Sequence, residues 1–154
     1  MTHATLVSTE ELGRQPEWRV FDCRHDLARP EWGLEEFGKG HIPGARFAHL
    51  DRDLSAPMTG ANGRHPLPEA KTFIAWLGRQ GLKPDQQVVC YDGGAGSSAA
   101  RLWWMLRWVG HEAVAVLDGG LAKWLQEGRP VTTEVPEVVP VSYPGKTKGA
   151  MFAS

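Results

Sequence analysis

The part of this chain best suited to chemistry lies between Val88 and Ser98. Four apolar residues, Val88-Val89-Cys90-Tyr91, lead into Asp92-Gly93-Gly94-Ala95-Gly96, and Ser97-Ser98 follow with the pattern of a helix start. A strand, a glycine-rich turn and a helix N-terminus together form an anion cradle. Unpaired backbone N–H groups point into the loop, and the helix dipole adds partial positive charge. A nucleotide phosphate in a P-loop is excluded, because that loop ends in Gly-Lys-Ser/Thr and no lysine is present here. Gly94-x-Gly96-x-x-Ala99 fits a dinucleotide fingerprint, with Asp118 where a ribose-binding acid would stand. That short pattern is weakly specific, and too little chain follows for the remaining strands of such a fold. Cys90 is the tempting nucleophile, two residues ahead of Asp92 but inside the apolar run. A cysteine in a buried parallel strand behaves as a small apolar side chain, and Cys23, at the end of an earlier strand, reads the same way.

The surrounding elements must place this loop. Ser8-Thr9-Glu10-Glu11 is a capping box that opens a short helix. Arg19 to Cys23 reads as a strand, Leu34 to Phe37 as helical, Gly40 to Ala45 as a tight turn, and Arg46-Phe47-Ala48 as a second strand. Residues 51–66 form a long loop with scattered Gly and Pro. Leu67-Pro68 opens a helix whose core stripe is Phe73, Trp76 and Leu77, closed by Gly81. Gln87 to Tyr91 is a buried strand. The helix after the loop is capped by Ser97 or Ser98 and runs to Val109, with Gly110 closing it. Ala113 to Leu117 is a further strand. A last helix carries Leu121, Trp124 and Leu125 inward and stops at Gly128-Arg129-Pro130. Strands alternating with helices predict an α/β fold with a mainly parallel central sheet and helices on both faces. In such sheets ligands bind beyond the carboxyl ends of the strands, which is where the Asp92 loop lies.

Composition narrows the function. The 154 residues suit one domain with a real core. Lys and Arg number 17 against 18 Asp and Glu with no basic tract, so no nucleic acid or anionic membrane is expected as partner. No apolar run approaches the ~20 residues of a membrane span. Met1 to Gln15 lacks an apolar signal region, which points to the cytoplasm. Two cysteines without ligand spacing imply neither a disulfide framework nor a zinc site, and no cofactor or metal is expected.

Several separate stretches, in order, resemble the rhodanese superfamily of sulfurtransferases. Gly40-His41-Ile42-Pro43-Gly44-Ala45 is similar to its first signature, and Leu117-Asp118-Gly119-Gly120 with Trp124 to its second. Asp22-Cys23-Arg24 resembles the Asp-x-Arg that ends the first strand of these domains. Arg101-Leu102-Trp103-Trp104-Met105-Leu106 resembles the helix after the active loop in N-terminal halves of two-domain thiosulfate or 3-mercaptopyruvate sulfurtransferases. The resemblance covers residues 6–133. It implies a rhodanese-like domain over 1–133, with 134–154 as a linker-like extended tail. It also implies transfer of sulfane sulfur from such a donor to a thiophile such as cyanide, through a persulfide on the first residue of the active loop. That thiolate would be activated by the helix N-terminus and the loop N–H groups. Here the active-loop equivalent is Asp92, Gly93, Gly94, Ala95, Gly96, Ser97 and Ser98, and its first residue is a carboxylate, which cannot form a persulfide.

The chain therefore resembles the inactive N-terminal half, whose partner is a catalytic rhodanese domain on a missing half or a separate chain. Two alternatives stay open: a stand-alone sulfurtransferase using Cys90, and a non-catalytic module binding a partner or a small sulfur-containing anion. Asp92 is expected either to fill the cradle as a built-in anion or merely to cap the next turn. His41 reads as structural, Arg24 and Glu36 as an ion pair bracing the loop, and Asp118 as the cap of the helix at Leu121. His25, His49, His65 and His111 show no ligand spacing. Of Trp103, Trp104 and Trp108, at least one must face away from the local core, since neighbours on a helix point about 100° apart. Burial on several sides is the favoured reading over an exposed partner surface.

Overall fold

The computed structural model describes residues 3–56 and 66–147, so most of the expected long loop, and His65, lie outside the described residues. In chain order the elements are β1 (Leu6–Val7), α1 (Thr9–Gly13), β2 (Arg19–Asp22), α2 (Trp32–Lys39), β3 (Ala45–Phe47), α3 (Ala70–Arg79), β4 (Val88–Tyr91), α4 (Ser97–Trp108), β5 (Val114–Leu117) and α5 (Gly120–Gln126). The strands form one sheet in the order β1-β5-β4-β2-β3, every pair parallel. No described helix is long and apolar enough to cross a membrane.

Period-two side-chain alternation divides the core. Phe21, Val88 and Cys90 face one side with Leu102, Met105 and Leu106 of α4 and Phe73, Trp76 and Leu77 of α3. Val20, Val89, Tyr91 and Ala115 face the other, with Leu121 and Trp124 of α5 and Leu12 of α1. Every residue of β4 is buried, as a central strand covered on both faces requires. Trp108 is buried, while Trp103 and Trp104 are partly buried against the core; the Trp103 indole N–H donates to Val114 O at 3.1 Å.

Differences from the sequence reading have physical causes. β1 goes unforeseen because two residues are too short to show a period; it exists because β5 offers an edge, Leu6 opposite Val116. α2 is longer than Leu34 to Phe37 and begins at Trp32 without a side-chain cap. β3 begins at Ala45, within the expected turn, in register with Val20. The Ser8 capping box forms as expected. In α5, Leu121 and Trp124 are buried but Leu125 is 51% exposed, because the short helix turns it off the apolar face.

From Val131 the chain is extended, and it is fastened along the domain. Thr132 bridges His41. His41 is fully buried and stacked on Phe37 at 3.8 Å, and its ring nitrogens lie 2.8 Å from Phe37 O and 2.6 Å from Glu134 O. Its role is structural, as expected, but it also ties α2 to the C-terminal segment. Arg46 Nη1 donates to Pro136 O at 2.6 Å, and Val141 N to Gly78 O at 2.9 Å. Tyr143 is buried, its hydroxyl 2.7 Å from His111 Nδ1, while His111 Nε2 lies 2.8 Å from Gln86 O. The satisfied arrangement is a neutral imidazole that donates from Nε2 and accepts the Tyr143 O–H at Nδ1.

Gly78 makes this docking possible, since a Cβ there would lie 2.3 Å from Val141 O. Alanine would raise helix propensity by about 1 kcal/mol, but the backbone overlap outweighs it. Gly78→Ala is expected to lower stability in urea and to expose residues 131–147 to limited proteolysis; an unchanged cleavage pattern would contradict the fastening. Burial also pulls the His111 pKa below its ordinary value. Its stabilising contribution is then complete above about pH 6.5 and is lost as pH falls toward the folded value. Urea midpoints from pH 7.5 down to 5.5 should fall more steeply in the native chain than in His111→Gln.

Candidate functional site

The glycine-rich loop leaves the carboxyl end of β4 and is shaped by left-handed backbone. Gly96, at φ 90°, is the N-cap of α4 and has no side chain with which to cap it. Ser97 is already the first helical residue, so neither Ser97 nor Ser98 serves as the cap. Asp92 supplies what Gly96 lacks. Its Oδ1 accepts Gly94 N–H at 2.9 Å and Gly96 N–H at 3.0 Å, and its Oδ2 accepts Ala99 N–H at 3.1 Å. The side chain that fills the loop is therefore also its cap, and the two readings of Asp92 merge. A carboxylate makes stronger bonds to backbone N–H groups than a hydroxyl, which is why it displaces the expected serine cap. Gly93, Gly94 and Ala95 form the exposed outer rim, while Asp92 is 6% exposed.

Two further connections hold the loop. Leu121 N and Ala122 N, at the start of α5, donate to Asp92 O at 2.9 Å and Gly93 O at 3.0 Å. Gly120 stands at φ 58°, and a Cβ there would lie 2.8 Å from Asp92 O. Asp118 is exposed and does not cap α5; Gly119 at φ 82° is the N-cap, with no side-chain bond. The loop's own carbonyls occupy the N-terminal donors of α5 that a side-chain cap would otherwise take.

Beneath the loop, Asp22 is fully buried. It accepts Arg24 Nε at 3.1 and 3.0 Å, Arg24 Nη2 at 2.7 Å and the Tyr91 hydroxyl at 2.7 Å. Arg24 Nη2 also donates to Gly40 O at 2.8 Å, and Ile42 N–H donates to the Tyr91 oxygen at 3.1 Å. The expected Arg24–Glu36 pair does not form: Arg24 turns inward to Asp22, and Glu36 meets Lys39 at 2.9 Å. The buried carboxylate needs compensation, and Arg24 supplies the opposite charge, whereas Glu36 remains at the solvent edge. Burial and the Asp22 charge push the Tyr91 hydroxyl's pKa up, so it stays a donor.

Cys90 lies inside β4 and is fully buried, and Cys23 is 1% exposed. Both are free thiols, and burial pushes the Cys23 thiol far above its ordinary range. The strand does not end before Cys90, which the stand-alone alternative requires. A cleft of about 300 Å³ lies against the loop, lined by His25, Trp32, Asp92–Ala95, Ser97 and Ser98. A neighbouring one of about 300 Å³ adds Leu27, Leu50 and Arg101. His25, Trp32 and Arg101 escaped the sequence reading as site residues. For His25 the available signal was its place just after the carboxyl end of β2. Among the described residues, no three metal-ligating groups gather.

The family description "Rhodanese-like domain" matches residues 7–127. The chain belongs to the rhodanese family. It is 41% identical to a probable 3-mercaptopyruvate sulfurtransferase from Pseudomonas aeruginosa, over 99% of this chain and 55% of that protein. It is 36% identical to the thiosulfate sulfurtransferase of Rattus norvegicus, over 86% of this chain and 46% of that one. The 3-mercaptopyruvate sulfurtransferase structure from Leishmania major superimposes with a TM-score of 0.83 at 31% identity, covering 94% of this chain and 41% of that chain. This rhodanese chain spans about half the length of the curated relatives it matches.

Two substitutions test how the loop is held. Asp92→Ala should cost about 2–4 kcal/mol, because three N–H groups lose a charged acceptor, and Asp92→Asn about 1–2 kcal/mol, because one oxygen remains. Equal losses by chemical denaturation would contradict the bonding described. Gly120→Ala should cost about 2–4 kcal/mol, combining left-handed strain with overlap against the loop backbone; stability within 0.5 kcal/mol of native, on the order of an ordinary surface change, would count against it.

Proposed function

We propose that this chain is the non-catalytic N-terminal half of a two-domain thiosulfate or 3-mercaptopyruvate sulfurtransferase. The observation that carries the reading is the Asp92 carboxylate, bonded to the N–H groups of Gly94, Gly96 and Ala99 at the head of the loop. In the sulfurtransfer chemistry of this family a thiolate attacks the transferable sulfur of the donor, whose bond to the leaving group breaks to release sulfite from thiosulfate or pyruvate from 3-mercaptopyruvate, and holds that sulfur as a persulfide stabilised by loop N–H groups. A carboxylate in that position has no sulfur to extend, and it already satisfies three of those donors. The chain then supports a separate catalytic rhodanese domain, which carries the cysteine, receives the donor and passes sulfur to the thiophile. The relatives' greater length supports a second half. The two free buried cysteines fit a reducing compartment such as the cytoplasm.

The test is a sulfur-transfer assay on the purified chain, with thiosulfate or 3-mercaptopyruvate as donor and cyanide as acceptor, together with intact mass after donor alone. The expected result is no thiocyanate and no added sulfur. Asp92→Cys, which places a thiol at the start of an already formed loop, should gain the mass of one sulfur atom after donor treatment. Turnover by the native chain that disappears in Cys90→Ser would overturn the proposal in favour of a stand-alone enzyme.

A further inference from the structure

We propose that the cavity between Trp18, Trp124 and Arg129 is a binding site for a small aromatic carboxylate. It lies at the end of the sheet opposite the Asp92 loop, beside the amino ends of β2 and β3 and the C-terminal ends of α1 and α5. Its volume of about 350 Å³ falls within the range of small-molecule sites, and its walls are mainly apolar. Val20 and Ile42 are buried core residues shared with this cavity, and the aromatic side chains of Trp18 and Trp124 line it with them. Trp124 is held in orientation by its indole N–H, which donates to Pro130 O at 2.7 Å.

Arg129 is the charged residue of this lining, and no carboxylate joins it there. Its guanidinium lies over the Trp124 ring at 5.6 Å, and its Nε donates to Glu127 Oε1 at 2.9 Å. Glu127 is thereby engaged on the Nε side, where it also accepts the Thr9 hydroxyl at 2.5 Å. No acceptor among the described residues meets the two Nη groups. One of them borders Gly13, where a Cβ would lie 3.2 Å away, so a side chain at that position would crowd it. A guanidinium fixed by stacking and by one hydrogen bond, with its remaining donors at the rim of an apolar cavity, is preorganised for a carboxylate. The floor then takes the ring. A neutral aromatic would gain the floor without the rim, and a cationic one would meet Arg129.

The experiment is a titration of the purified chain with indole-3-carboxylate and, in parallel, with indole. Tryptophan fluorescence and the indole and backbone N–H chemical shifts are followed. The expected result is saturable binding of the carboxylate at least about tenfold tighter than of indole. The shifts should centre on the Trp18 and Trp124 indoles and leave Gly93 to Gly96 unmoved. Arg129→Gln, a partly exposed position whose change spares the core, should bring the two affinities together. Absence of saturable binding by about 1 mM, equal affinities in the native chain, or shifts centred on the Asp92 loop would each overturn the proposal.

Discussion

The glycine-rich loop of this protein depends on one carboxylate placed at the end of its central strand. Asp92 stands where β4 leaves the core and takes the N–H groups of Gly94, Gly96 and Ala99. Without an internal acceptor, those donors would have to be satisfied by water or by a bound anion. With one, the loop closes on itself and α4 begins in a defined direction. The glycines are the other half of the arrangement. Gly96 gives the left-handed turn into α4, and Gly120 lets α5 approach so closely that its first N–H groups bind the loop carbonyls.

A second carboxylate holds the base of the same region by different physics. Asp22 is fully buried, where an uncompensated charge would cost several kcal/mol. Arg24 and the Tyr91 hydroxyl meet it directly, and the same two side chains contact the turn at Gly40 to Ile42. The ends of β2 and β4 and the turn before β3 are thus fixed to one another. One carboxylate shapes the loop and the other anchors the strands beneath it, yet neither has the chemistry to carry sulfur.

The two ends of the sheet differ in character. At the carboxyl end of β4 the exposed rim of the loop, Gly93 to Ala95, carries no charge, because Asp92 is turned inward. At the amino ends an apolar cavity is walled by tryptophans and edged by Arg129. The segment after Val131 is fastened at His41, Gly78 and His111 in turn. Family membership accounts for the sheet and the loop. The chemistry of each end follows from the particular side chains this chain places there.

The sequence by itself determined the alternation of strands and helices, the Ser8 capping box, the core stripe of α3 and the carboxylate at the head of the glycine-rich loop. These are local matters: periodicity, turn residues, and the identity of the residue at 92. Cys90 was also legible as a core residue, since it sits within an apolar run. Tertiary structure decided which acceptor each donor found. Whether Ser97, Ser98 or Asp92 caps α4, whether Arg24 turns to Glu36 or Asp22, and whether Asp118 caps α5 or stays exposed are contests between partners. Such contests are settled by burial and by segments remote in the chain. The short strand β1 and the docking of residues 131–147 belong to the same class. Neither has a local period strong enough to announce it, and both exist because a distant edge or a glycine-bared helix offers backbone partners.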